Sequence, residues 1–213
     1  MSFVRSCLLT AILACLSPAT APTLAADRTA APPILPRAAW AAKRANTSLM
    51  KPQTPREIVI HHTGEKRRPQ LTLQEKLQKL QRFSQSAGMV GTAPKPPWGD
   101  MPYHFYVDAA GRIGEGRSLA FAGDSNTKYD TANRIQIVVE GHFDQEQPAP
   151  AQLKSLDRLV VWLADRYNVP AVKISGHSDH VGNTDCPGRG LKSHLPVLRA
   201  KVVQTAKASA PAR

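Results

Sequence analysis

The chain has 213 residues, of which 42% are hydrophobic and 21% charged, and its formal net charge is +12. That length is one domain able to bury a core, and beyond the N-terminus no apolar segment suggests a membrane anchor, so stable membrane insertion is not expected. The basic residues are spread along the chain apart from Lys66-Arg67-Arg68 and come with no nucleic-acid motif, which suits a polyanionic envelope surface rather than a nucleic acid.

In chain order, Arg5 precedes the apolar run Cys7–Ser17, and small residues follow up to Ala26. This is the pattern of a secretory signal over residues 1–26, and its apolar run is too short for a bilayer, which needs about 20 residues. A rival reading takes ILAC (12–15) as a lipoprotein processing site with a lipid anchor on Cys15. Either way the protein is expected to be exported, to a periplasm or to the medium, and a monomer is the default. Residues 27–36 read as an Ala/Pro-rich flexible or extended lead-in, 37–206 as the domain and 207–213 as a C-terminal tail.

Ile58-Val59-Ile60 predicts a short buried strand. Thr72 to Ser86 carries Leu73, Leu77, Leu80 and Phe83 at helical spacing, started by Thr72 and closed near Gly88. Ala93–Asp100 (APKPPWGD) reads as loop. Tyr103–Asp108 and Arg112–Gly116 read as a hairpin turning at Ala109-Ala110-Gly111. Ile135–Glu140, apolar nearly throughout, reads as a central strand. Ala151 to Asn168 is the longest predicted helix, with Leu156, Leu159, Val160 and Leu163 on one face and Pro170 beyond its end. Val172–Ser175 reads as a strand and 191–206 as a terminal helix. Alternating strands and helices predict a single α/β domain with a β-sheet flanked by helices.

One cysteine follows the leader, Cys186 in GHSDHVGNTDCPG (176–188). With no partner for a disulfide in the monomer, and with a Pro-Gly turn after it, it is a candidate metal ligand rather than a buried apolar residue. Histidines lie at the carboxyl ends of two apolar strands, His61 and His62 after IVI and His177 after KISG. Alternation along a strand lets only one of His61 and His62 face a common site, and spacing does not say which. Neutral imidazoles with a thiolate suit zinc, and a site with three protein ligands leaves a fourth position open for water. Gly182 and Pro187-Gly188 supply the bends that bring His177 and Cys186 together.

ILPRAAW (34–40), IVIHHTG (58–64), MPYHFYVDAAGRIGEGR (101–117) and GHSDHVGNTDCPG, in this order, resemble the zinc amidases of the peptidoglycan recognition protein and phage amidase superfamily, the type-2 N-acetylmuramoyl-L-alanine amidases. The resemblance implies a mixed sheet flanked by helices, Zn2+ held by His61, His177 and Cys186, and a peptidoglycan or muropeptide substrate cut between N-acetylmuramic acid and L-alanine. It makes His62 and His104 packing or hydrogen-bonding residues, with His180 a competitor for the place of His177. His142 and His194 have no motif support and read as surface residues.

The resemblance also implies catalytic roles for Tyr103, orienting water or bonding the oxyanion, and for Thr184 as a hydrogen-bond donor. Val138 stands where other branches carry a glutamate base, so Glu140, two residues on and on the same strand face, is the substitute candidate, its alternative role being to cap the strand beside Gly141. Gly123-Asp124-Ser125 replaces a substrate-contacting histidine of many relatives. Trp98, Arg117 and Asn126 are candidate groove walls. Two other readings compete: a peptidoglycan-binding module of the same fold that does not cut, and a hydrolase with Cys186 as nucleophile and His177 as base.

Overall fold

The computed structural model describes residues 30–208. The expected signal segment with Cys7 and Cys15, the first residues of the lead-in and the last five residues of the expected tail lie outside the described residues. A six-stranded sheet has the order β1-β6-β5-β7-β2-β8, with β1 at Ile34–Leu35, β2 at Glu57–His62, β5 at Phe105–Val107, β6 at Ile113–Glu115, β7 at Arg134–Val139 and β8 at Ile174–Gly176. Its strands pair in parallel except for the antiparallel β5–β6 hairpin, so the sheet is mixed as expected.

The apolar run of β7 follows from its place between β2 and β5, where both of its faces are covered. On one face Ile58, Ile60, Ile135, Ile137 and Val139 pack against α2, Pro150–Arg166, and α4, Leu195–Ala208. Leu156, Leu159, Val160 and Leu163 of α2 are fully buried there, as their spacing predicts. The opposite face is covered only in part, by Trp40 and by Leu73 and Leu77 of α1, Leu73–Gln85. Thr72 caps α1 in a reciprocal box with Glu75, which satisfies two backbone donors that the helix leaves unpaired. Gly114 of β6 lets this helix lie close: a Cβ there would stand 2.5 Å from Leu77 Cδ1. Beyond α1, the carboxyl ends of β2 and β7 stay open to a groove.

Four expectations about elements need correction. Residues 93–100 are not all loop: β4, Ala93–Lys95, pairs with β3, Gly88–Val90, a hairpin too short and too exposed to show the alternation of a half-buried strand. Phe83 is 45% exposed and turns to the groove rather than the core. The terminal helix is broken into α3, Arg189–Lys192, and α4, because Pro196 is tolerated only in the first turn of a helix. The lead-in and tail are shorter than expected, since Ile34 pairs with Ile113 and α4 runs to Ala208.

Candidate metal centre

The strand β2 ends on two histidines, and the pleat sends them to opposite faces. His61 points to the open face and is 4% exposed, while His62 turns back against Phe143 and His142. His177 follows directly on β8, and the chain after it curls back as the glycines and Pro187 suggest. Ser178 N donates to the Cys186 carbonyl (2.7 Å), and Gly176 leaves room for Pro187, whose Cδ lies 2.7 Å from where a Cβ would stand. These contacts bring the two ends of the loop together.

The outcome is a buried triad. His61, His177 and Cys186 each offer one ligand atom, and these lie within 4.8 Å of one another. His61 Nδ1 is 3.5 Å from Cys186 Sγ, and the backbone N–H of His62 donates to the same sulfur at 3.4 Å. On the far side of the His61 ring, Nε2 bonds Gln136 Oε1, which also accepts from the Tyr129 hydroxyl at 3.0 Å. That bond places the proton on Nε2 and leaves Nδ1 free to coordinate, the usual outer support of a metal-ligating histidine. His177 Nε2 lies 2.7 Å from Thr127 Oγ1, and its ring packs on Tyr129 with centroids 4.8 Å apart.

The electrostatics favour a cation. Burial, then the neighbouring His177, pushes the His61 imidazole down to about 3. Burial, then His180, pushes His177 down to about 4, so both rings are neutral near pH 7. Burial also pushes the Cys186 thiol up to about 12. A thiolate at this depth needs positive charge beside it, and the neutral imidazoles do not supply one. Two neutral imidazoles and a thiol are a donor set that fits zinc.

The triad opens on a groove of about 690 Å³. Tyr103, Thr184, Trp98 and Asn126 line it. The Tyr103 ring lies 5.2 Å from that of His61, and burial raises its phenol above the ordinary range, so it keeps its proton. Thr184 Oγ1 accepts from Cys186 N at 3.2 Å, which leaves its hydroxyl proton available. Glu140 also reaches the groove, but its carboxylate is committed to Lys76 Nζ (2.7 Å), Ala109 N (2.8 Å) and Arg68 N (2.8 Å). This corrects the expectation that it is a free base: it anchors α1 and the hairpin turn to the end of β7.

Arg117 is no groove wall either. It is 1% exposed, donates to the Met101 and Asp100 carbonyls and pairs with Asp124, holding the loops around the site. His180 stays outside the triad, bonded to Ser175 (2.8 Å) and stacked on Tyr129. His194 is half-buried on Asp157 at 2.7 Å and His142 has a buried ring nitrogen, so neither is a plain surface residue. Sequence reasoning missed Gln136, Tyr129 and Thr127. Gln136 had a signal, a polar side chain inside an apolar central strand, whereas Tyr129 and Thr127 sit in a loop without periodicity.

His104, fully buried beneath the site, accepts from Gln136 N at Nδ1 (2.8 Å) and donates to the Phe121 carbonyl from Nε2 (2.9 Å). Burial, together with the Arg117 charge, lowers its pKa to about 4. The unfolded chain, with a histidine near 6.5, therefore takes up a proton that the folded chain refuses. Stability from this residue is complete above about pH 6.5 and falls as the pH drops toward about 4, by on the order of 3 kcal/mol. Urea unfolding across this range should show that loss for the native protein and a shallower slope for His104→Gln. Equal slopes would remove His104 as the cause.

Proteins of known class show the same frame. Residues 51–189 match the family model described as N-acetylmuramoyl-L-alanine amidase. Peptidoglycan-recognition protein SD of Drosophila melanogaster is 29% identical over 166 residues, covering 75% of this chain and 82% of that protein. Its crystal structure superposes with a TM-score of 0.63 at 25% identity, covering 76% of this chain and 91% of that one. The endolysin N-acetylmuramoyl-L-alanine amidase LysCS of Clostridium intestinale gives a TM-score of 0.62 at 25% identity, covering 82% of this chain and 98% of that one. With a family match that takes in β2, both histidine segments and Cys186, this chain belongs to the N-acetylmuramoyl-L-alanine amidase family.

Proposed function

We propose that the protein is a zinc-dependent hydrolase that cleaves the amide joining the lactyl group of N-acetylmuramic acid to L-alanine of the peptidoglycan stem peptide. The observation that carries this reading is the complete triad of His61, His177 and Cys186 at the floor of an open groove. Those three residues would hold the zinc, which when bound supplies Lewis acidity for an amide carbonyl and lowers the pKa of a water. The neutral rings and the Gln136 support leave them ready to coordinate without first losing a proton from either histidine.

The other groove residues act as donors. Tyr103 keeps its proton and can donate a hydrogen bond to the carbonyl oxygen as negative charge builds on it. Thr184, its oxygen already occupied by Cys186 N, can donate from the other side. Lys66, Arg68 and Lys79 line the same groove and suit the carboxylates of a stem peptide. The high thiol pKa tells against Cys186 as a nucleophile, which would need to be a thiolate without help from a metal. We further propose export on the segment at 1–26; among the described residues no helix is long and apolar enough to cross a membrane.

The test is mass spectrometry of purified peptidoglycan incubated with the protein. Free stem peptides beginning at L-alanine are expected. Retained binding to sacculi by folded, zinc-loaded protein with no released peptide would instead make it a binding module of the same fold.

A further inference from the structure

Behind the first triad, on the opposite face of β2, His62, His142 and Asp144 form a second group. They too offer one ligand atom each, all within 4.8 Å of one another. Among the described residues three buried side-chain N or O atoms have no hydrogen-bond partner, and two of them belong to this group: His142 Nδ1 and Asp144 Oδ2. Asp144 Oδ2 is an acceptor left without a donor, at a cost of about 1–3 kcal/mol, and His142 Nδ1 is a ring nitrogen that meets neither donor nor acceptor. A cation between them would satisfy both, displacing the proton from Nδ1 as it binds.

Asp144 and His62 converge on Gly188 with no side chain between them and its backbone. Asp144 Oδ2 and His62 Nδ1 each lie 3.0 Å from the point where a Cβ on residue 188 would stand, and that residue is glycine, with φ of +82°. The remaining atoms of the group are already held in place. Asp144 Oδ1 accepts from Arg189 N at 2.9 Å, His62 Nδ1 accepts from Phe143 N at 3.3 Å, and His142 Nε2 lies 3.4 Å from the Gln145 side-chain amide nitrogen. The His142 backbone is fixed by Glu146, its N–H donating to Oε1 at 3.0 Å.

We propose that His62, His142 and Asp144 form a second divalent-metal site, separate from the triad on the groove and of the zinc class. Two imidazoles and a carboxylate are a set that zinc accepts, with ligand atoms about 3.3 Å apart around a tetrahedral ion. Binding would draw the ligand atoms together from their present spacing, within 4.8 Å, and displace the Phe143 N–H from His62 Nδ1. Of this group only His62 reaches the groove; His142, Asp144 and Gly188 do not line it. Its role is positional: the ion ties the 142–144 segment to the end of β2 beside Gly188, two residues beyond Cys186. It does not depend on the hydrolytic reading above.

Zinc per chain, measured after equilibrium dialysis of the untagged protein, tests the proposal. Two zinc ions are expected for the native chain and one for the His142→Gln/Asp144→Asn double variant. Cys186→Ala should also retain one. Titration with Co2+ separates the sites without relying on any variant, because only the first contains sulfur. The first equivalent should bring a thiolate charge-transfer band, and a second should add ligand-field absorption while that band stays constant. A native chain that binds one ion only, or a folded double variant that still binds two, overturns the second site.

Discussion

Cys186→Ala is expected to abolish stem-peptide release. The triad would then offer two neutral imidazoles alone, and the charge that made the buried site suit a dication is gone. The Lewis acidity at stake is worth several kcal/mol at the transition state, so the rate should fall roughly a thousandfold or more. Chelation of the native protein should produce the same loss and added zinc should reverse it, while the variant should not recover. Mass spectrometry of released peptides, paired with metal analysis, reads both effects. Full activity in thoroughly demetallated native protein, together with inactivation by thiol alkylation, would return Cys186 to the role of nucleophile.

Tyr103→Phe should be the next most costly change. The substitution keeps the ring beside His61, 5.2 Å between centroids, and removes only the hydroxyl. If that hydroxyl bonds the developing oxyanion, kcat drops by about 10²–10³ with KM and zinc content little changed, as when an oxyanion donor is removed elsewhere. The split between kcat and KM matters, since a purely packing role would show instead as lost stability with kcat intact. An unchanged kcat in the folded, zinc-loaded variant would remove Tyr103 from the chemistry.

The two corrections that bear most on function concern Glu140 and Arg117. Strand alternation correctly placed Glu140 on the open face of β7, yet it could not show that Lys76 would approach from α1, 64 residues earlier, to neutralise it. Arg117 was a candidate groove wall on its loop context alone, but its guanidinium turns inward to carbonyls at Asp100 and Met101. Both are outcomes of partners distant in sequence, and a long charged side chain does not reveal its partner in its neighbours along the chain.

What the sequence determined by itself was whatever repeats at short range or is chemically singular. The strand at β2, the faces of α1 and α2, the cap at Thr72 and the lone Cys-Pro-Gly turn were all legible, because periodicity, capping and turn chemistry act over a few residues. Spacing left open which of His61 and His62 meets Cys186, and the tertiary structure decided it on physical grounds, as it decided that Gln136 and Tyr129 steady the ring and that His62 gathers His142 and Asp144 on the other face. Each of those depends on the register of β2 against β7, where His61 stands opposite Val138, and on which face each helix covers. Register and coverage are settled by the packing of the whole core, which no local stretch of residues contains.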